Sequence, residues 1–191
     1  MKRLGILIGM FVVTGPWSFA QTSTWVPDKA HSEVGFSVLH LSLSHVHGRF
    51  GNIGGTIVWD DADITKSVVN VTIDVSTVDT GVAPRDNDLK GPNFFDTAQF
   101  PTATFVSTSV VKTASGLTVK GNLTLHGVTK PVTLQDVGPT GPVQGMDHKP
   151  HSGFSAITSL DRTAFGIGSK VPEAVVSNTI QLTVDMDLAK Q

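Results

Sequence analysis

The chain has 191 residues, with 16 acidic side chains against 14 basic ones and no cysteine. That balance offers no basic stripe to a phosphate backbone and excludes nucleic acid as a partner, and the missing thiols exclude a disulfide scaffold. Nineteen glycines, many Val and Thr residues and few runs of helix formers favour sheet.

In chain order, Lys2 and Arg3 precede an apolar run from Leu4 to Val13, which Gly15, Pro16 and Trp17 interrupt before Ser18-Phe19-Ala20. This is the pattern of a secretory signal peptide cut after Ala20. The run falls short of the ~20 apolar residues that a membrane-spanning helix needs. The expectation is an exported protein, with residues 1–20 a leader and residues 21–191 one domain with its own core.

Alternation with period two then marks the strands. Val34, Phe36 and Val38 alternate with Glu33, Gly35 and Ser37. Residues 50–59 form the next expected strand, ended by the turn residues Asp60-Asp61-Ala62-Asp63. Gly51, Gly54 and Gly55 inside it read as bulges or bends that help a sheet curl. Val69, Val71, Ile73 and Val75 alternate with Asn70, Thr72 and Asp74. Gly81–Pro101 then breaks the rhythm. One or two short helices are expected there, capped by Asp79 or Thr80, with Pro84 at the first helical position and Asp86 and Asp88 in the first turn. Such a segment would close or line a barrel mouth. Further strands are expected over 103–112, 117–125, 131–137, 154–161 and 180–188, with hairpin turns at Ala114-Ser115-Gly116 and His126-Gly127-Val128-Thr129. The Gly- and Pro-rich stretch Gly138–Ser152 reads as a long mobile loop. The fold class is therefore all-β. Eight long antiparallel strands close into a barrel whose interior holds one slender ligand.

Catalytic signals are weak. There is no Gly-x-Ser-x-Gly elbow, and Ser32 directly follows His31, so on a strand the two point to opposite faces. No phosphate-binding loop is present. Four histidines cluster in sequence: His31, His40, His45 and His47. The spacing of His45 and His47 suits metal ligands, but no carboxylate or thiol stands at a telling distance, and solvated imidazoles at a loop end account for it. The aromatic set says more. Phe36, Phe50, Phe94, Phe95, Phe100, Phe105, Phe154 and Phe165 are spread over strands and the irregular segment, as core filling or as the lining of an apolar cavity. Arg85 stands near Phe94-Phe95, where a guanidinium either contacts a head group or fixes the loop.

Taken in order, several strings resemble one family. They are Trp25-Val26-Pro27-Asp28, His31-Ser32, Phe36 and His40, then Gly48-Arg49-Phe50, then Arg85-Asp86-x-Asp88-Leu89 running into Phe94-Phe95-Asp96 and Phe100-Pro101. The set continues through Gly121-Asn122-Leu123-Thr124-Leu125-His126-Gly127-Val128-Thr129-Lys130-Pro131-Val132 and ends on Arg162 and Phe165-Gly166. From about Trp25 to Leu188 the chain resembles the YceI-like polyisoprenoid-binding proteins. The resemblance implies a lipocalin-like barrel around a tunnel and a periplasmic address; the lack of catalytic motifs adds the expectation of no cofactor and no enzymatic activity. The implied partner is a long-chain isoprenoid or fatty-acid-like lipid. On this view Phe36, Val38, Phe50, Leu89, Phe94, Phe95, Phe105 and Phe165 line the interior, with Arg85 near the polar end. One position departs: Asp88 often is His in that family. The alternatives are a broad binder of hydrophobic toxins or drugs and a metal- or haem-assisted redox module. The oligomeric state stays open, a dimer included.

Overall fold

A computed structural model describes residues 22–191 except Ser115, and all but the side chains of Asp136 and Val137. The leader expected over residues 1–20 and the middle of the Ala114-Ser115-Gly116 turn lie outside the described residues. The strands are β1 (Thr22–Pro27), β2 (Glu33–His40), β3 (Ser44–Phe50), β4 (Ile53–Asp60), β5 (Val68–Asp74), β6 (Thr102–Lys112), β7 (Leu117–Leu125), β8 (Val128–Gln144), β9 (Pro150–Asp161) and β10 (Val176–Lys190). Among the described residues a single α-helix, α1, spans Ala83–Lys90.

Ten segments make a closed wall of eight. β10 carries two partners end to end on one edge: β2 along Val176–Asp185 and β1 along Leu188–Lys190. β1 and β2 are thus two halves of one wall strand, broken at residues 28–32. Likewise β3 pairs with β2 and β4 with β1, so those two form another wall strand, broken at Gly51-Asn52. The ring runs β1-β4-β5-β6-β7-β8-β9-β10 and returns to β1. The alternation over 33–38 foreshadows β2, and the strand expected over 50–59 corresponds to β4. Two pieces escaped these readings: β1, and β3 with its polar Ser-His-Val-His face.

The Gly- and Pro-rich stretch 138–152 is not the loop expected from its composition. β8 runs on to Gln144 and β9 starts at Pro150, pairing at Thr140↔Gly153, Val143↔His151 and Gln144↔Pro150. The pairing absorbs Gly141 and Pro142 as an irregularity between Thr140 and Val143. At Gly55 the β4–β5 register runs on without a bulge, yet its φ is +114° and an added Cβ would lie 2.1 Å from the Asn70 carbonyl oxygen, so a side chain is excluded there.

Along β10 the outward positions Gln181, Thr183, Asp185 and Asp187 are polar and the inward ones apolar, though Val106 and Ile157 are exposed on the outer face. That is the reverse of a membrane barrel. Among the described residues no helix is long and apolar enough to cross a membrane.

The interior divides into two halves. Val69 and Val71 of β5, Val119 of β7 and Met186 and Leu188 of β10 are buried in a continuous core with Trp25, Ile57 and Phe154. Further along the same strands, Ile73, Leu123, Leu125, Ile180 and Leu182 line a cavity, with Leu123 shared between core and lining. One inward stripe therefore passes from solid packing to open space along its length.

Candidate functional site

The cavity has a volume of about 130 Å³. Its wall comes from Val34, Phe36 and Val38 of β2, Phe50 of β3, the ends of β5, β7 and β10, and the turn that holds Phe165 and Ile167. Leu89, Phe94 and Phe95, in and after α1, cover it. The cover joins the wall through rings. Phe36 and Phe50 lie 5.4 Å apart, and Phe50 meets Phe95 edge to face at 5.3 Å. The Phe36 ring lies across Gly48, where a Cβ would come within 2.3 Å of it, so this glycine makes room for an aromatic lining.

The covering segment is stitched to the barrel at both ends. Past β5 the chain continues beside β3, where Arg49 and Asp79 exchange backbone hydrogen bonds of 2.9 and 3.0 Å. α1 follows. At the far side the Gly168 N–H donates to the Asn93 carbonyl at 3.0 Å, and the Phe94 ring packs on Gly168. Capping differs from expectation. The N-cap is Val82, without a side-chain bond, and neither Asp79 nor Thr80 takes that place. Instead the Thr80 N–H and hydroxyl both donate to Asp86, so the acid of the first turn reaches back to hold the entry loop. Asp88 lies beyond the first turn.

Of the residues singled out from sequence, Phe36, Val38, Phe50, Leu89, Phe94, Phe95 and Phe165 line the cavity. Two do not. Phe105 is buried in the solid half, its ring lying across Gly121, where a Cβ would stand 2.4 Å from it. Arg85 turns away and donates through Nε to the Thr80 hydroxyl at 2.8 Å and through Nη2 to the Thr80 carbonyl at 3.1 Å. These two bonds tie it to the entry loop through Thr80.

The polar residue at the cavity is Arg162, which sequence reasoning left out of the site. It is 5% exposed. Its Nε donates to the Ser177 carbonyl, its Nη1 to Ile167 and Gly168, and its Nη2 to Val171, Val176 and the Asn178 side chain. A guanidinium has five N–H donors, and all five are committed. Burial pushes its pKa down from the ordinary value, against the nearby Asp161 and Glu173, which pull it up. Arg162 thus ties residues 162–178 into one knot and presents its face, without spare donors, to the cavity. Every other lining side chain is apolar. The available signal was an arginine beside the glycine-rich run Phe165-Gly166-Ile167-Gly168, a run that cannot supply its own ladder.

The four clustered histidines separate. His45 and His47 do share a face of β3, exposed, with rings 6.3 Å apart. His40 ends β2, and His31 sits in the β1–β2 break, bonded to Asp28.

The family model described as the YceI-like domain matches residues 25–188. A UPF0312 protein of Yersinia pestis is 37% identical over 153 residues, covering 80% of this chain and 77% of that protein. One from Yersinia enterocolitica aligns with the same identity and coverage. Among solved structures, the Campylobacter jejuni YCEI protein superposes with a TM-score of 0.69 at 28% identity, over 80% of this chain and 89% of that one. Burkholderia cenocepacia BcnA gives 0.74 at 24% identity over 84% and 98%. A polyisoprenoid binding domain from Saccharophagus degradans gives 0.61 at 15% over 90% and 100%. At such identities the last two speak to the fold alone.

Proposed function

The chain belongs to the YceI-like domain family, and from that premise we propose that it is a carrier which shelters the apolar tail of a long-chain isoprenoid or fatty-acid-like lipid. The observation that carries this reading is the hollow half of the barrel, walled by apolar side chains and covered by a separate segment. The Saccharophagus degradans domain, described as polyisoprenoid binding, shares the barrel and lends support. The reading includes no chemical step, since the lining offers no nucleophile or base and the Arg162 donors are spent.

The resting volume sets a condition. Ligand pockets usually measure about 300–1,000 Å³, against about 130 Å³ here. A long tail therefore enters only if Leu89, Phe94 and Phe95 move outward. Each methylene then sheltered contributes ~0.8 kcal/mol gross. Part of that offsets the lost stacking of the cover. The same volume favours a second reading, a binder of compact hydrophobic molecules, because a cavity of roughly 150 Å³ lined by Leu, Ile and Phe accepts benzene in another protein.

Mass spectrometry of lipids extracted from the natively purified protein tests the proposal. A stoichiometric long-chain amphiphile is expected. Absence of any amphiphile, together with no uptake of ubiquinone or a prenyl phosphate, overturns it. Uptake of small aromatics alone transfers the assignment to the second reading. The proposal places the carrier in the periplasm, and N-terminal sequencing of the exported product is expected to start at Gln21.

A further inference from the structure

A second convergence of side chains lies at the end of the barrel away from the cavity, on its outer surface. Asp187 of β10 points out of the wall, since its neighbours Met186 and Leu188 are buried inside. The break between β1 and β2 folds directly over it. The Asp28 N–H donates to the Asp187 carbonyl at 2.8 Å, the Ser32 hydroxyl donates to the same carbonyl at 3.1 Å, and the Asp187 N–H donates to Ser32 Oγ at 3.2 Å. Three hydrogen bonds thus fix the Asp28 backbone and the Ser32 hydroxyl against the backbone of Asp187.

The side chains follow. His31 Nδ1 is 3.1 Å from Asp28 Oδ2, while Asp28 Oδ1 accepts the Ala30 N–H at 2.8 Å and is held in place. One ligand atom each from Asp28, His31 and Asp187 lies within 4.8 Å of the other two. Behind Asp187 stands a further pair: His151 Nδ1 bonds Asp187 Oδ1 at 2.5 Å, and His151 Nε2 bonds Asp147 Oδ1 at 3.1 Å. A groove of about 450 Å³, lined by His31, His151 and Asp187 among others, leaves room for water beside them.

We infer that Asp28, His31 and Asp187 form a binding site for a first-row divalent metal ion of the zinc class, with His151 and Asp147 orienting Asp187 from behind. Zinc binds imidazole nitrogen and carboxylate oxygen at about 2.0–2.2 Å, and three protein ligands plus water complete a tetrahedron. Ligand atoms in such a tetrahedron stand roughly 3.3 Å apart, as those bond lengths require. The Asp28–His31 pair already meets that spacing. The Asp187 ligand atom lies within 4.8 Å of both, and small shifts of the exposed His31 and the Asp28 carboxylate toward the ion close the rest. One imidazole among two carboxylates suits zinc and its neighbours better than calcium, which takes six to eight oxygens. A simple staple for the turn needs only Asp28 and His31. It does not account for a third carboxylate within 4.8 Å of both, itself bonded by a histidine that a further carboxylate holds, the outer arrangement that metal sites use.

The test is titration of tag-free, chelator-treated protein with Zn²⁺ by calorimetry, with Co²⁺ spectra as a second readout. One equivalent is expected to bind at micromolar or tighter dissociation constant. His31→Ala and Asp187→Asn should each weaken it at least tenfold, and His151→Gln should weaken it 10–100-fold as an outer partner. The double variant His45→Ala/His47→Ala should leave it unchanged. Circular dichroism of each variant separates lost ligands from lost fold. Should His31→Ala or Asp187→Asn instead keep its fold and bind Zn²⁺ like the parent, or should the parent take up no stoichiometric metal, the site is refuted. Loss of binding only in the His45/His47 variant refutes it equally. None of these outcomes depends on whether the cavity takes lipid.

Discussion

At the residue scale the two arginines near the cover show how chemistry divides between scaffold and site. Arg85 stands in the loop that a head group would approach, yet its Nε and Nη2 are bonded to Thr80. Arg162 is buried and satisfies the carbonyls of a glycine-rich turn that has no ladder of its own. Removing its fork leaves several buried acceptors unpaired, each costing ~1–3 kcal/mol. Arg162→Met is therefore expected to destabilise the protein by about 3–5 kcal/mol in urea denaturation. Arg162→Lys should recover less than half, because an ammonium donates from one point rather than from a planar fork. Full recovery by Lys would show that charge, not geometry, holds the turn. His151 gives a pH signature. Its bond to Asp187 above all, and that to Asp147, raise its pKa, against a smaller lowering by desolvation. A raised imidazole stabilises the fold fully below its unfolded value of about 6.5 and loses that contribution as pH rises through the folded value. The lowered carboxyls of Asp28 and Asp147 contribute above the unfolded carboxylate value and lose that only in acid, outside this window. With chelator present, the urea midpoint is expected to fall as pH rises above about 6.5, and His151→Gln should flatten that slope. An unchanged slope in the variant would assign the effect elsewhere.

At the element scale, what could be read ahead and what could not follow one physical distinction. Alternation reports which side of a strand is wet, so the inward stripes of β5, β7 and β10 were visible. It does not report whether a strand is whole. The wall strand made of β1 and β2 breaks at Asp28–Ser32, and pairing of both pieces with β10 keeps them in line; that of β3 and β4 breaks at Gly51-Asn52, and its pieces are held by β2 and β1. Composition misled at residues 138–152, where cross-strand hydrogen bonds hold Gly and Pro in a ladder that their propensities oppose. The covering segment was legible because helix-start chemistry and paired phenylalanines interrupt the period. Its role as a cover yields a prediction. Phe95 is half-buried and packs on Phe50. Phe95→Ala should cost about 1–3 kcal/mol, below the 3–5 of a fully buried ring. It should also strengthen binding of a long-chain fatty acid severalfold, because less packing must be displaced on entry. Weaker binding in this variant would mean that the ring serves as a wall for the ligand rather than as a stopper.

At the scale of the whole molecule, the barrel is half core and half container. The packed half, around Trp25, Ile57, Val119 and Phe154, supplies stability without any disulfide. That frees the other half to stay loosely filled. Phe105 belongs to the packed half and Phe36 to the hollow one, although each lies across a glycine of the neighbouring strand. Sequence shows both as inward phenylalanines, and only the closure of the wall tells them apart. The division predicts a break in how affinity depends on chain length. In a series of saturated fatty acids from about six to eighteen carbons, the resting cavity accommodates roughly the first six carbons, by comparison with the benzene-sized cavity of ~150 Å³. Over that range each added methylene should tighten binding up to about fourfold, the equivalent of ~0.8 kcal/mol. Beyond it the tail must displace Phe94 and Phe95, so the increment per carbon should drop. At the same chain length, amide hydrogen exchange over residues 82–101 should accelerate, while exchange in β7 around Val119 stays slow. A slope that continues unbroken to the longest chain, with unaltered exchange in the cover, would mean that the container is already open in solution and that the cover does not act as a gate.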